Sequence, residues 1–390
     1  MPPNLLRPSW SQLDPHELRI LLAERIGSPG QYDGIGNDPD RLHLPLARES
    51  CRVILTFCNR RIARIEPGHA FNASEWDHIA NEIENSILVG PTKIGRDYAF
   101  SSYRVHGSWR GERSGVQILP PHPSAPQASF EMAEHPFILE FPIQFSEVWP
   151  ITNHRRLREL RHLTLLLNVL LAGRTNLQPS RGSHFWGCIH QDSGGLGEVR
   201  WVQNFYFAGM GEVFLDTPSP MTEQQLEVIP ADRYFKEVRG IDGRGLRVPS
   251  DLDDSICRYR QLHPRRREEF NRSAYWLDMA SRQWNMSMSA SFSALVSAVE
   301  SLINARGPGS TGRFRTFLER YAPGASLEAR RNEMYDLRSG ILHGSELMTL
   351  DQDLSFGWDP PWWNERELHE ELWRMARQVL RNWLNNPPPV

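Results

Sequence analysis

From Pro264 to Trp383 the apolar residues return every three or four positions in one segment after another, which limits this region to helices that each bury one stripe. Phe270, Ala274, Leu277 and Trp284 form one stripe. Met288, Phe292, Leu295, Val296, Val299, Leu302 and Ile303 form a second. Ala305 to Gly312 (A-R-G-P-G-S-T-G) breaks the pattern, and a short helix is predicted over Phe314 to Tyr321. Another is predicted within Ser326 to Ser345, facing the core through Leu327, Met334, Leu337 and Ile341. The last, through Leu368, Leu372, Met375, Val379 and Trp383, is expected to begin at an Asn364 cap with Glu367 three residues on. Stripes of this kind are buried against one another, so residues 251–390 are expected to form a helical bundle.

Residues 1–250 read as a mixed α/β region, and the whole chain as α+β. Asp14-Pro15-x-Glu17 before Leu18, Leu21 and Leu22 is a cap, a first-turn proline and a capping-box glutamate, for a helix ending near Gly27. Strands are predicted over Cys51 to Cys58, Ile62 to Glu66, Tyr98 to His106, Val116 to Leu119, Pro136 to Phe145, His184 to His190 and Val199 to Ala208. Helical spacing covers Ser74 to Leu88 and His154 to Gly173. The proline-rich stretch 119–129 is expected to be an extended connector that divides this region. The basic run His154 to His162 is read as the solvated face of its helix. Asp251, Asp253 and Asp254 are expected to stabilise the N-terminus of a helix through Ile256 to Leu262.

Composition excludes several chemistries. Of 44 basic residues only Lys93 and Lys236 are lysine, and neither follows the glycine that a phosphate-binding P-loop needs. Nor does either end an Asp/Glu-x-Lys nuclease core, because Pro91 and Tyr234 stand two residues before them. The patterns G-x-S-x-G and H-E-x-x-H are absent from the sequence. The four cysteines form no C-x-x-C pair, which fits a reducing cytoplasm, and the longest apolar run is too short to span a bilayer, so no membrane partner is expected. His184, Trp186, Cys188 and His190 alternate on one strand face, but roughly 13 Å separates residues four apart, so packing is preferred to a metal site. No metal or cofactor is expected. The net charge of −3 gives no overall attraction to nucleic acid, although Arg258 to His343 holds 14 arginines against 8 acidic residues.

Within the predicted bundle, Tyr335 to Gly344 reads Y-D-L-R-S-G-I-L-H-G, with Arg338 and His343 in R-x4-H spacing before a glycine suited to end a helix in a left-handed turn. The string, the bundle around it and Glu300 in A-x-E-x-L on the second long helix together resemble the HEPN superfamily, most closely its Apea-like branch. The resemblance covers about the last third of the chain. It implies a metal-independent endoribonuclease with Arg338 and His343 as catalytic residues, and with Glu300, Tyr335 and Ser339 binding substrate or supporting them. At Ser339 many active members carry Asn, Asp or His. It further implies a homodimer acting in prokaryotic antiphage defence, with residues 1–250 as the sensor or regulatory part that meets a phage-derived trigger. The alternative is a catalytically silent HEPN module for dimerisation or for binding RNA or nucleotide.

In chemical terms, histidine moves protons near neutrality and guanidinium grips phosphate oxygens, which is what attack by an RNA 2′-hydroxyl requires. The helix dipole at a C-terminus favours a protonated His343. On one undistorted helix, positions five apart diverge by 140° and about 8–9 Å, so a second copy is expected to complete the site. Trp358, Trp362 and Trp363, read as lying in a proline-rich loop, are placed over the apolar end of the bundle rather than against RNA bases.

Overall fold

The computed structural model describes residues 3–12, 14–26, 42–48, 51–58, 61–68, 71–86, 90–122, 135–172, 175–177, 185–190, 198–203, 212–237, 245–284, 286–303, 310–324, 328–352 and 360–389. It contains both helices and sheets, and its C-terminal region is helical, so the chain is α+β. Two compact units emerge: Met1–Lys93 with Ile143–Arg158, and Ile94–Pro142 with Glu159–Val390.

In the first unit, α1 (Pro15–Ile26), β1 (Leu42–Arg48), β2 (Cys51–Cys58), β3 (Arg61–Pro67) and α2 (Ala73–Ser86) surround one core. The sheet is antiparallel in the order β1-β2-β3. Leu18, Leu21, Leu22, Val53, Leu55, Ile65, Trp76, Ile79 and Ile83 are buried together with Trp10 of a short 3-10 turn. Asp14 caps α1, its Oδ1 accepting from the amides of His16 (2.8 Å) and Glu17 (3.2 Å). Glu17 does not fold back as a capping-box partner; its carboxylate takes Arg155, at 2.7 and 3.0 Å, while Asp14 also takes Arg158. The basic run on α3 (Trp149–Leu170) is therefore not a solvated face: two of its arginines are spent on the acids that open α1.

In the second unit, β4 (Thr92–Ser101), β5 (Trp109–Arg110), β6 (Gln117–Leu119), β7 (His135–Gln144), β8 (Thr175–Asn176) and a later strand, β11 (Phe214–Leu215), make a six-stranded sheet, ordered β11-β4-β7-β6-β5 with β8 also on β4. Among the described residues, strands β9 (Phe185–His190) and β10 (Glu198–Gln203) pair with each other alone; the arrangement of the His184, Trp186, Cys188 and His190 side chains lies outside the described residues. The register aligns Arg110 with Gln117 and Gln117 with Glu140. With Arg96 they form a polar row closed by Ser219, whose amide and hydroxyl donate to Glu140 (2.9 and 2.6 Å) and whose carbonyl accepts from Arg110 and Gln117. Arg96 meets the fully buried Glu140 at 2.6 Å. Burial of such a charge is tolerable because both carboxylate oxygens find donors.

Beyond β12 (Val228–Ile229), α4 (Ala231–Glu237) and β13 (Val248–Pro249) come the helices α5 (Leu252–Gln261), α6 (Pro264–Gln283), α7 (Met288–Glu300), α8 (Ser310–Tyr321), α9 (Glu328–Leu342), α10 (Thr349–Gln352) and α11 (Pro360–Asn385). The apolar stripes of α6, α7 and α11 are buried as their spacing requires; Trp284 and Ile303, at the ends, are half-buried. α11 packs against α5, α6, α7, α8, α9 and α10, and so forms the axis of the bundle.

Asp251, Asp253 and Asp254 stand at the N-terminus of α5 as expected, the last two in its first turn, whereas the Asn364 cap of α11 does not form. Asp251 precedes α5 without a side-chain cap bond, while Asp253 accepts the amides of Arg113 (2.9 Å) and Ser114 (3.0 Å) in the β5–β6 turn and Asp254 pairs with Arg113. α11 starts at Pro360, so Asn364 is an internal residue that donates to Glu333 (2.7 Å), and Trp362 and Trp363 stand on the first turns of the helix instead of in a loop.

His369 of α11 is 1% exposed, with Trp284 at 4.3 Å between ring centroids and Phe292 and Trp373 beside it. Its Nε2 lies 2.8 Å from the Ser291 hydroxyl, which donates to the Ala280 carbonyl, so Ser291 accepts and His369 carries its proton on Nε2. Burial pushes the imidazole down to about 4, against an ordinary 6.5. The folded state therefore resists a proton that the unfolded chain accepts. Stability is complete above pH 6.5 and is lost as pH falls towards 4, by up to about 3 kcal/mol. His369→Gln is expected to lower the slope of unfolding free energy against pH in that window by up to about 1.4 kcal/mol per unit, measured by urea titration.

Candidate active site at the end of the motif helix

α9 packs against α7, α8 and α11, and its buried face is not the one its apolar residues suggest. Met334 is fully buried, but Leu337 and Ile341 are only half-buried; Leu327 lies outside the described residues. The buried face runs Arg331, Met334, Tyr335, at spacings of three and four, and continues to the half-buried Arg338. Periodicity counts arginine as a solvent residue and so turns the helix the wrong way.

That rotation sets the position of Arg338. Its Nη2 donates to Oε2 of Glu300, the last residue of α7, at 2.6 Å, with side chains 21% and 26% exposed. The guanidinium lies over the Tyr335 ring, 5.7 Å from its centroid, and Tyr335 in turn tilts against Phe314 of α8 at 5.5 Å. Arg338 is thus fixed on two sides, not solvent-facing, and its Nε has no hydrogen-bond partner among the described residues. Burial raises the Glu300 carboxyl above its ordinary value, although the Arg338 charge and hydrogen bond pull the other way.

The end of α9 forms as the sequence anticipates. Gly344 has φ +71°, its amide donates to Ile341 (3.1 Å), and that of Ser345 to Gly340 (3.0 Å), the two bonds of a Schellman ending. His343 is the last residue before the left-handed turn. Its amide donates to the Ser339 carbonyl (3.0 Å), and its side chain is exposed between the exposed Leu342 and the turn. A Cβ on Gly340 would stand 2.5 Å from Oε2 of Glu346, so only glycine leaves room for that side chain to fold back over the helix end.

Arg338 therefore touches both Glu300 and Tyr335. Ser339 is half-buried and serves through its carbonyl, and His343 stands apart at the cap. Sequence reasoning passed over Leu342 and Leu347, 52% and 50% exposed on either side of His343, and Asp351. The signal for the first two is an apolar residue off the stripe. Asp351 accepts from the Ser287 hydroxyl (2.9 Å) and the amides of Met288 (3.0 Å) and Ser289 (2.7 Å), capping α7 from a distance. Burial pushes its carboxyl up, but the bonds from Ser289, Ser287 and Met288 bring it below the ordinary value. No group of three or more histidine, cysteine or acidic residues suited to a metal occurs among the described residues.

No protein-family model, curated protein or solved structure matches the chain.

Because Glu300 is charged only at a cost, truncating its partner is expected to hurt more than neutralising it. Arg338→Ala should destabilise by about 1–3 kcal/mol, Glu300→Gln by under about 1 kcal/mol, and the double variant by less than Arg338→Ala alone. Chemical denaturation of the three proteins measures this directly.

Proposed function

We propose that this chain is a metal-independent endoribonuclease of HEPN type, an effector of prokaryotic antiphage defence that works in the cytoplasm and is triggered through residues 1–250. The observation that carries the reading is Arg338, a guanidinium pinned by Glu300 and Tyr335 at the end of a bundle helix that finishes in an exposed histidine. A surface arginine balances its charge with solvent. This one is oriented, and an oriented guanidinium with N–H groups to spare suits a developing phosphorane.

The reaction needs no metal. The imidazole of His343 takes the proton of the 2′-hydroxyl as its oxygen attacks phosphorus, Arg338 neutralises the pentacoordinate phosphate, and the departing 5′-oxygen takes a proton from a second imidazole. A 2′,3′-cyclic phosphate and a 5′-hydroxyl result. One chain offers one His343, so the second comes from a two-fold copy, and the exposed Leu342 and Leu347 are an apolar margin that pairing covers.

The alternative, a silent module for dimerisation or for binding RNA or nucleotide, has one observation in its favour: Glu300 already occupies Nη2 of Arg338.

Purified protein incubated with total RNA in EDTA is expected to leave fragments with cyclic phosphate ends, and His343→Ala to abolish cleavage while the helical signal is unchanged. Loss of cleavage on chelation, restored by a divalent ion, sinks the mechanism; intact RNA throughout favours the silent module. Light scattering is expected to show a dimer at assay concentration, and Leu342→Glu with Leu347→Glu to yield monomer and loss of cleavage together. A fully active monomer refutes the composite site.

A further inference from the structure

Within the second unit, and independent of the motif helix, a pocket of about 300 Å³ opens among Arg104, His106, His135 and three prolines, Pro120, Pro121 and Pro136. Its floor is fixed. The Leu246 amide donates to the Arg104 carbonyl (2.7 Å), the Ser108 amide to Gln224 (3.0 Å) and the Leu226 amide to Ser108 (2.9 Å), so Arg104 to Ser108 is held at both ends. Gly245, with φ +82°, lies where a Cβ would come within 2.8 Å of the Arg104 carbonyl and 3.0 Å of the His106 ring. Glycine there is what seats His106 against the backbone.

The chemistry of the walls selects the ligand. No carboxylate lines the pocket among the described residues, and a guanidinium beside two imidazoles repels a cation. His135 is buried, and burial, then Arg104 and His106, hold it down to about 4, so it stands in the pocket as a neutral imidazole. Arginine grips two oxygens of a phosphate, and two imidazoles supply donors for the third. The proline rings offer flat apolar surface to whatever carries the phosphate. The volume suits a small organic molecule.

We propose that Arg104, His106 and His135 form a binding site for the phosphomonoester group of a small organic phosphate whose organic part rests on Pro120, Pro121 and Pro136.

Titration calorimetry on the full chain with AMP, inorganic phosphate and adenosine tests it. AMP is expected to bind at one per chain, phosphate more weakly, and adenosine not at all at about 1 mM. Arg104→Gln and His106→Gln should each weaken AMP by about tenfold or more with an unchanged circular dichroism spectrum. His343→Ala should bind AMP as the wild type does, which separates this pocket from the proposed cleavage site. No heat from AMP or phosphate overturns the proposal, as does adenosine binding equal to AMP. So does AMP affinity that survives Arg104→Gln but falls with His343→Ala.

Discussion

Helix ends brought into a compact unit carry carbonyls with no partner along their own helix, and satisfying them is the constraint on which the second unit depends. This chain meets it with arginine. Arg377 of α11 reaches the end of α3, donating to the carbonyls of Asn168 (3.2 Å), Leu171 and Ala172. Arg331 of α9 donates to Ala322, just past α8, at 2.9 Å, and Arg267 of α6 donates to Arg260 and Leu262 at the end of α5. A guanidinium has enough N–H groups to serve several carbonyls, and its positive charge complements the negative end of the helix dipole. Burial pushes Arg377 below its ordinary value, but the carbonyls around it are what make a charged side chain tolerable there.

Arg338 breaks this pattern. It is half-buried, and it meets a carboxylate and an aromatic face instead of a helix end. Glu300 is not thereby an inexpensive partner: its carboxyl stays above the ordinary value with a guanidinium 2.6 Å away, because burial outweighs the attraction. Above that value the pair detracts from stability, and as pH falls through it the folded state takes up the proton first and gains. What the pair supplies is direction. It fixes one edge of the guanidinium through Nη2, while Nε is buried without a partner among the described residues, as are the Nε atoms of Arg267 and Arg331.

The helices were legible because an apolar stripe is a property of the segment alone, and α6, α7 and α11 bury the residues that their spacing names. The Schellman ending at Gly344 was legible for the same reason. The rotation of α9 was not. Arg331 and Arg338 face inward only because Ala322 and Glu300 wait there, and those partners come from other helices. Asp253 and Asn364 look like caps in sequence but answer to Ser114 and Glu333, which are remote in the chain. Strand β1 escaped notice because Pro45 interrupts its pattern, yet its register with β2 places Pro45 opposite Ile54 without ending the pairing. The polar row Arg110, Gln117, Glu140 is a product of register and has no signature in any one strand.

Residues 251–390 share a compact unit with Ile94–Pro142 and Glu159–Ser250, and the contacts that join them are polar and specific. Asp253 and Asp254 hold the β5–β6 turn, Arg260 pairs with Glu159 at 2.8 Å, and Arg377 ends α3. α11, which carries Arg377, packs against both α7 and α9, the helices that present Glu300 and Arg338. Helix α11 thus links the end of α3 to the two helices whose spacing sets the 2.6 Å pair.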